Sequence, residues 1–245
     1  KLSNSSEELT GEAATMYRAL SARINYLAQD RPDLAYCAKE LCRDFSKPTS
    51  KSVEKLKRAG RYLCHHPRMV WHFEYQVPID AVDVYCDTDF AGCQQTRRST
   101  SGGCIMHGAH LLKHWSTTQT TIALSSAEAE LGGICKGASQ GLGMRSLLQD
   151  LGLQWKLRIH SDAAAAIGIC RRRGLGKVRH LAVADLWVQD HLRTKDFELL
   201  KVLGADNPAD ALTKPVEHPC LSKHVKKMSL RCEEGRAASA PKLDG

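Results

Sequence analysis

The sequence lacks a long apolar run, and its longest, Ala163–Cys170, has eight residues. A helix that crosses a membrane needs about 20 apolar residues, so no membrane segment is predicted. Residues 1–8 are polar and lack the apolar region of a secretory signal, which favours an intracellular protein. Because the chain does not begin with methionine, we expect it to be part of a longer polypeptide.

The ten cysteines include no Cys-x-x-Cys pair. Together with the lack of a secretory signal, this predicts reduced thiols rather than disulfides. The segment Cys64-His65-His66 offers ligating side chains, but no second pair occurs at the spacing of a zinc site. Zinc binding at this segment is therefore disfavoured.

Acidic residues are outnumbered by basic ones, 27 to 35, which gives a formal net charge of +8. This balance favours a polyanionic partner such as nucleic acid, although many ordinary proteins are equally basic. A length of 245 residues, of which 42% are hydrophobic, is enough for one ordinary domain and a smaller unit.

Residues 16–80 are predicted to form a small helical unit after a polar lead at residues 1–15. Apolar residues such as Leu20 and Ile24 recur at spacings of three and four between residues 12 and 66, which is typical of helices. Prolines at positions 32 and 48 divide this stretch into three helices, because proline is tolerated in the first turn of a helix but not inside it.

From residue 81 the pattern changes to strands. Val82, Val84 and Cys86 alternate with Asp83, Tyr85 and Asp87, which indicates a strand. The later elements are β-prone pieces at 104–107 and 111–115, a helix at 126–151, a strand at 157–161, a short helix at 163–170, a helix near 181–192, a strand at 197–203 and a helix near 208–213. The order βββαβαβα predicts an α/β fold over residues 81–215, with a mixed sheet flanked by helices. Residues 216–245 are predicted to form a polar, disordered tail.

Four acidic residues fall where predicted strands end or helices begin. Asp87 closes the first strand, Asp162 closes the fourth, Glu130 lies in the first turns of the long helix, and Asp210 lies in the last helix. Each has a structural alternative. Asp87 could belong to a turn, Asp162 could cap the next helix, and Asp210 could lie on a solvated helix face.

Glu128 and Glu130 are distinguished by helix geometry. Ser125-x-x-Glu128 fits a capping box, in which the serine and the glutamate satisfy free backbone amides. Residues two apart do not share a helix face, so Glu130 is free to face the sheet and the strand ends that carry Asp87 and Asp162. Converging carboxylates repel one another unless a cation neutralises them, and oxygen ligands suit Mg²⁺ or Mn²⁺.

The acids belong to an ordered set of motifs. These are Tyr85-Cys-Asp-Thr-Asp-Phe-Ala-Gly92, Arg97-Arg-Ser-Thr-Ser-Gly102, Ser125-Ser-Ala-Glu-Ala-Glu-Leu131, Ser161-Asp162, Val178-Arg-His180 and Asn207-Pro-Ala-Asp-Ala-Leu-Thr-Lys214. The set resembles the ribonuclease H family, and more narrowly the ribonuclease H of Ty1/copia-type retrotransposon Pol polyproteins. Upstream, Tyr17-Arg18, Arg31-Pro-Asp33, Ser46-Lys-Pro48 and Ala59-Gly-Arg-Tyr-Leu63 resemble the helices that join the reverse transcriptase of these polyproteins to ribonuclease H.

The resemblance implies a ribonuclease H-like fold with a mixed five-stranded sheet. It implies that Asp87, Glu130, Asp162 and Asp210 are catalytic and bind two Mg²⁺ or Mn²⁺ ions, with no small-molecule cofactor. The expected substrate is the RNA strand of an RNA:DNA hybrid, and the expected partner is the reverse transcriptase portion of the same polyprotein. The expected location is a retrotransposon particle in the cytoplasm, or the nucleus.

Candidate nucleic-acid-binding residues are mostly basic. A loop rich in arginine could bind phosphates or could be a solvated loop, and an arginine pair in the second motif could bind substrate or anchor the turn. His180 could aid product release or cap the next helix. These candidates are Arg97, Arg98, Arg171, Arg172, Arg173, Lys177, Arg179 and His180.

Two other readings are open. An integrase-like nuclease of the same general fold would have its acids in the order Asp, Asp, Glu, whereas here a glutamate precedes the second aspartate. An inactive or domesticated remnant would serve as a nucleic-acid-binding or protein-interaction module. The chain has no Tyr-x-Asp-Asp motif, so polymerase activity is not expected.

Overall fold

A computed structural model describes residues 7–174, 176, 186–235, 237 and 239 of the chain. Its helices are α1 (Gly11–Leu27), α2 (Pro32–Arg43), α3 (Ser50–His65), α4 (Ser126–Asp150), α5 (Ala164–Arg171), α6 (Trp187–Arg193) and α7 (His218–Lys227). Its strands are β1 (Arg68–Trp71), β2 (Ala81–Asp89), β3 (Thr100–His107), β4 (His110–Thr118), β5 (Lys156–Ser161), β6 (Glu198–Lys201) and β7 (Leu230–Glu233). No helix among the described residues has the length and apolar character needed to cross a membrane.

The first compact unit contains residues 7–72 and 230–235. The three predicted helices are confirmed as α1, α2 and α3, and Pro32 is the first residue of α2 as its sequence position predicted. Their core includes Tyr17, whose hydroxyl donates a hydrogen bond of 2.8 Å to the carbonyl oxygen of Leu41. Strands β1 and β7 pair antiparallel in the same unit.

The second compact unit, within residues 73–229, contains the predicted mixed sheet. Its strand order is β4-β3-β2-β5-β6. Strands β2, β3 and β4 are antiparallel neighbours, whereas β5 is parallel to β2 and β6 is parallel to β5. The prediction of a five-stranded mixed sheet flanked by helices is therefore confirmed. The helix predicted near 208–213 is present as a short 3₁₀ helix, Pro208–Leu212.

Helix α4 packs closely on the central strand β2 through a row of small residues. Gly133, Gly137 and Gly141 lie four residues apart, and therefore on one helix face. A Cβ atom built on Gly137 would lie only 2.0 Å from Cys86 Sγ, so the glycine is needed for this approach. The same helix carries Glu130 at its start and so brings it against the sheet.

The predicted disordered tail is wrong for residues 218–233, which contain α7 and β7. Leu221, Val225 and Met228 have the spacing of one helix face, and the side chains of Val225 and Met228 are buried. This burial stabilises α7 although the segment is polar and carries several lysines. The boundary between the units also differs from the expected one and follows His72 rather than residue 80.

Candidate metal centre

Three of the four predicted carboxylates converge at one edge of the sheet. Asp87 lies near the end of β2, Asp162 follows β5 directly, and Glu130 lies in the first turns of α4. Because β2 and β5 are parallel, their carboxyl ends meet at the same edge. One oxygen from each of the three carboxylates lies within 4.8 Å of the others. This oxygen-only set fits a hard divalent cation such as Mg²⁺ or Mn²⁺.

Asp210 lies near this group but is not a member of it. Its carboxylate Oδ1 accepts a hydrogen bond of 2.9 Å from Lys214 Nζ within the turn that follows the 3₁₀ helix. Its negative charge nevertheless contributes to the raised pKa of both Asp87 and Asp162. The structure therefore places the fourth predicted residue beside the other three, with a lysine as its partner.

The structural alternatives for two acids are also resolved by the contacts. The N-cap position of helix α5 is occupied by Ala163 and not by Asp162, which disfavours a capping role for Asp162. Ser125 Oγ accepts a hydrogen bond from the backbone amide of Glu128, and the Glu128 carboxylate accepts one from the amide of Leu124. The predicted capping role of Glu128 is confirmed, although its backbone partner is Leu124 rather than Ser125.

Burial is the main cause of unusual pKa values in this group. Burial, followed by the charges of Asp87 and Asp162, raises the pKa of Glu130 to about 8. Burial and then Asp210 raise the pKa of Asp87 to about 6, although the hydrogen bond from Thr213 opposes the shift. Burial also raises the pKa of Asp162. In the absence of a cation, the site therefore disfavours its fully ionised form.

These pKa values predict that the cation-free protein loses stability as pH rises from about 4 to about 8. Each group binds its proton more tightly in the folded state, so its contribution is complete at low pH and is lost as pH rises through the folded pKa. A divalent cation must displace these protons, so its stabilising effect should grow over the same range. Thermal unfolding at several pH values, with EDTA and then with Mn²⁺, measures both trends.

Glu130→Gln is the matched control for this titration, because glutamine has no acidic proton to lose. Its cation-free profile should be flatter above about pH 6 than that of the natural chain. The lowered pKa values of Asp83 and Asp196 act below about pH 4, whereas the lowered pKa of the buried His224 makes stability rise as pH approaches 6.5, so the difference between the two profiles isolates the effect of Glu130. Identical cation-free profiles for Glu130→Gln and the natural chain above about pH 6 would contradict the assignment.

Asn207 and Thr213 connect the 3₁₀ helix to β2, and the sequence predicted no role for either. Asn207 is fully buried, and its amide Nδ2 donates a hydrogen bond of 2.8 Å to the carbonyl oxygen of Cys86. Its Oδ1 accepts from the backbone amide of Ala209 and so caps the helix that carries Asp210. Thr213 Oγ1 donates to Asp87 Oδ2. An asparagine directly before a proline is a helix-start signal that could have identified Asn207 from the sequence.

The predicted nucleic-acid-binding residues are only partly described. The exposed Arg97 and Arg98 lie in the loop between β2 and β3, where their backbone groups form hydrogen bonds with Cys93. Arg171 ends α5 and donates a hydrogen bond of 2.7 Å to the carbonyl oxygen of Leu199. Arg172 and Arg173 follow α5, whereas Lys177, Arg179 and His180 lie outside the described residues.

Comparison with known proteins finds similarity to retroelement polyproteins. No protein-family model matches the chain. It is 26% identical over 219 residues to the retrovirus-related Pol polyprotein from transposon RE1 of Arabidopsis thaliana, which covers 88% of this chain and 15% of that protein. It is 27% identical over 213 residues to the Pol polyprotein from transposon TNT 1-94 of Nicotiana tabacum, which covers 86% of this chain and 16% of that protein.

The chain thus spans less than one fifth of the length of these relatives. Among solved structures, LC11-RNase H1 in complex with an RNA/DNA hybrid is 12% identical, with 54% of this chain and 93% of that chain covered and a TM-score of 0.39. That likeness is too low to support a statement about function. The motifs, the strand order and the similarity to these polyproteins together support the identification of this chain as the ribonuclease H region of a Ty1/copia-type retrotransposon Pol polyprotein.

Proposed function

We propose that the second unit is a divalent-cation-dependent ribonuclease H that hydrolyses the RNA strand of an RNA:DNA hybrid during reverse transcription. The convergence of Asp87, Glu130 and Asp162 within 4.8 Å carries this proposal. Three mutually repelling carboxylates destabilise a fold unless they bind a cation, and phosphodiester hydrolysis is a reaction that such a cation assists. The relation to Pol polyproteins supports the retrotransposon context.

Asp87, Glu130 and Asp162 would hold the cation, and Asp210 is proposed as a further ligand for a second ion. When bound, Mg²⁺ or Mn²⁺ stabilises negative charge on the scissile phosphate and acidifies water. The carboxylates must release their protons to bind it, and the shared burial of Asp87 and Glu130 keeps bulk water from weakening the electrostatic attraction. Thr213 orients Asp87 through its hydroxyl.

Selection of RNA would come from contacts with 2′-hydroxyl groups, because these distinguish RNA from DNA. The exposed side chains of Arg98 and Arg173 are available for phosphates, whereas Arg171 has a backbone partner at Leu199. We propose that all eight predicted binding residues contact the nucleic acid. We also propose that the chain docks to the reverse transcriptase of the polyprotein and acts in cytoplasmic particles or the nucleus.

The test is incubation of the chain with an RNA:DNA hybrid labelled on the RNA strand, in Mg²⁺ and in EDTA. The natural chain should cut the RNA in Mg²⁺ only, and Asp162→Asn should lower the rate by at least about 1000-fold, because several kcal/mol of charge stabilisation depend on the cation. Asp190→Asn is the matched control. Its side chain is 72% exposed and forms an ion pair of 3.0 Å with Arg193 on the same helix.

Equal cutting by the natural chain and Asp162→Asn would overturn the site assignment. Failure of both to cut, with hybrid binding retained, would favour the alternative function of an inactive nucleic-acid-binding module. Cleavage in EDTA would contradict the cation requirement. Loss of activity in Asp190→Asn would show that the assay reports a general effect on the fold.

A further inference from the structure

Lys214 places a positive charge directly beside two of the four carboxylates. Its Nζ lies 2.9 Å from Asp210 Oδ1 and 3.9 Å from Asp87 Oδ2. The Asp87 side chain is 5% exposed and the Asp210 side chain is 19% exposed, whereas the Lys214 side chain is 42% exposed. The ammonium group therefore reaches from solvent to the buried end of the acidic group.

Lys214 divides the acidic group into two sides. Asp87, Glu130 and Asp162 form a three-oxygen cluster, and among the described residues no arginine or lysine nitrogen lies within ion-pair distance of Glu130 or Asp162. Asp210 is absent from that cluster and has the ammonium group of Lys214 as its partner. Glu130 and Asp162 thus have no arginine or lysine at ion-pair distance among the described residues, whereas Asp87 and Asp210 share the ammonium group of Lys214.

The position of Lys214 is set by its neighbours and not by side-chain flexibility alone. It lies four residues after Asp210, and the intervening Thr213 is fully buried and donates its hydroxyl hydrogen to Asp87 Oδ2. This turn therefore aims the lysine at the gap between Asp87 and Asp210. Burial opposes the charged form of Lys214, yet its pKa is raised because the hydrogen bond that it donates to Asp210 and the charge of Asp87 outweigh burial.

We propose that Lys214 is a competing cation that neutralises the Asp87–Asp210 side and keeps divalent ions from it in the absence of nucleic acid. This inference rests on the proposed function, because it concerns the same metal centre. Two positive groups cannot occupy that side without strong repulsion, so a divalent ion must displace the ammonium group. A nucleic-acid phosphate would offer the lysine another partner and would leave Asp210 free to bind a cation.

Calorimetric titration of the cation-free chain with Mn²⁺, without nucleic acid, tests the proposal. We expect the natural chain to bind one ion. Lys214→Met should bind either a second ion or one ion with an affinity at least about tenfold higher. This factor corresponds to the shift of about one unit that a single adjacent charge causes in the pKa of a carboxylate. Lys214→Arg keeps the charge and should restore the natural stoichiometry. Lys223→Met, which removes a lysine whose ion pair is with Asp206 rather than with one of the four acids, is the matched control.

Unchanged or weaker Mn²⁺ binding in Lys214→Met would overturn the competing role, and weaker binding would show that the lysine positions Asp210 for the metal. Cation-free thermal unfolding supplies a second measurement, since loss of the counter-ion should lower the unfolding temperature of Lys214→Met, and Lys214→Arg should restore it. If the methionine variant does not fold, Lys214→Gln removes the charge with a polar side chain and permits the same comparison.

Glu130→Gln separates failure of this inference from failure of the proposed function. If the natural chain binds no Mn²⁺, or Glu130→Gln binds it equally well, the metal centre itself is wrong and Lys214 has nothing to compete with. If the natural chain binds Mn²⁺, Glu130→Gln does not, and Lys214→Met behaves as the natural chain, only the inference about Lys214 is wrong.

Discussion

Replacement of Asp87 with asparagine should abolish RNA cleavage and also stabilise the cation-free protein at pH 8. Asp87 is 4% exposed and faces the charges of Asp210 and Asp162. Its ionised form is disfavoured in the folded state, because burial and these charges raise its pKa from 3.8 to about 6. A neutral asparagine removes this penalty and can still accept the hydrogen bond from Thr213.

The expected gain in the free energy of unfolding is about 1–2 kcal/mol at pH 8, somewhat below the full value of a two-unit shift, because Lys214 loses part of its pairing. No gain is expected at pH 4, where the Asp87 carboxyl is protonated in the folded state. The rate of hybrid cleavage should fall at least about 1000-fold, because the Asp87 carboxylate is no longer available to bind the cation.

Urea unfolding in EDTA at both pH values, together with the hybrid-cleavage assay, measures these opposite effects. Asp80→Asn is the matched control, since Asp80 is 71% exposed, pairs with Lys156 and lies away from the cluster. It should change neither quantity appreciably. Loss of both stability and activity in Asp87→Asn would mean that Asp87 maintains the fold rather than holding a cation.

Gly137→Ala should destabilise the protein by about 1–3 kcal/mol, although alanine favours helices more than glycine does. The added Cβ would lie 2.0 Å from the Sγ of Cys86, which is fully buried in the central strand. The Cys86 thiol can move only by rotation about one bond and is buried on all sides, so helix α4 should move away from β2. Because Glu130 begins the same helix, its distance from Asp87 should increase, and the affinity for Mn²⁺ should fall as well.

Gly143→Ala in the same helix is the matched control. Its Cβ would have no atom within 4 Å, so only the helix preference remains, and stability should rise by about 0.5–1 kcal/mol. Urea unfolding midpoints for the two variants should therefore move in opposite directions at constant slope. A stabilising effect of both alanines would show that α4 does not rest as closely on β2 as these distances indicate.

Much of the fold follows from local patterns. The alternation of Val82, Val84 and Cys86 correctly predicted the central strand, and Ser125 with Glu128 correctly predicted the start of α4. Such signals concern neighbouring residues, whose hydrophobic period and capping groups are visible along the chain. The polar segment around α7 was misread because its helix is stabilised by burial of Val225 and Met228 against other parts of the chain.

The candidate site also has features that the sequence predicts and features that only the tertiary structure determines. Chain order and element ends are sufficient to select Asp87, Glu130 and Asp162, because strands that run parallel bring their ends to one edge. The pairing of Asp210 with Lys214, and the approach of Lys214 to Asp87 across more than 120 positions, emerges only when the 3₁₀ helix packs beside β2. Local chemistry therefore identifies the acids, whereas long-range packing determines their charge balance and where a cation can bind.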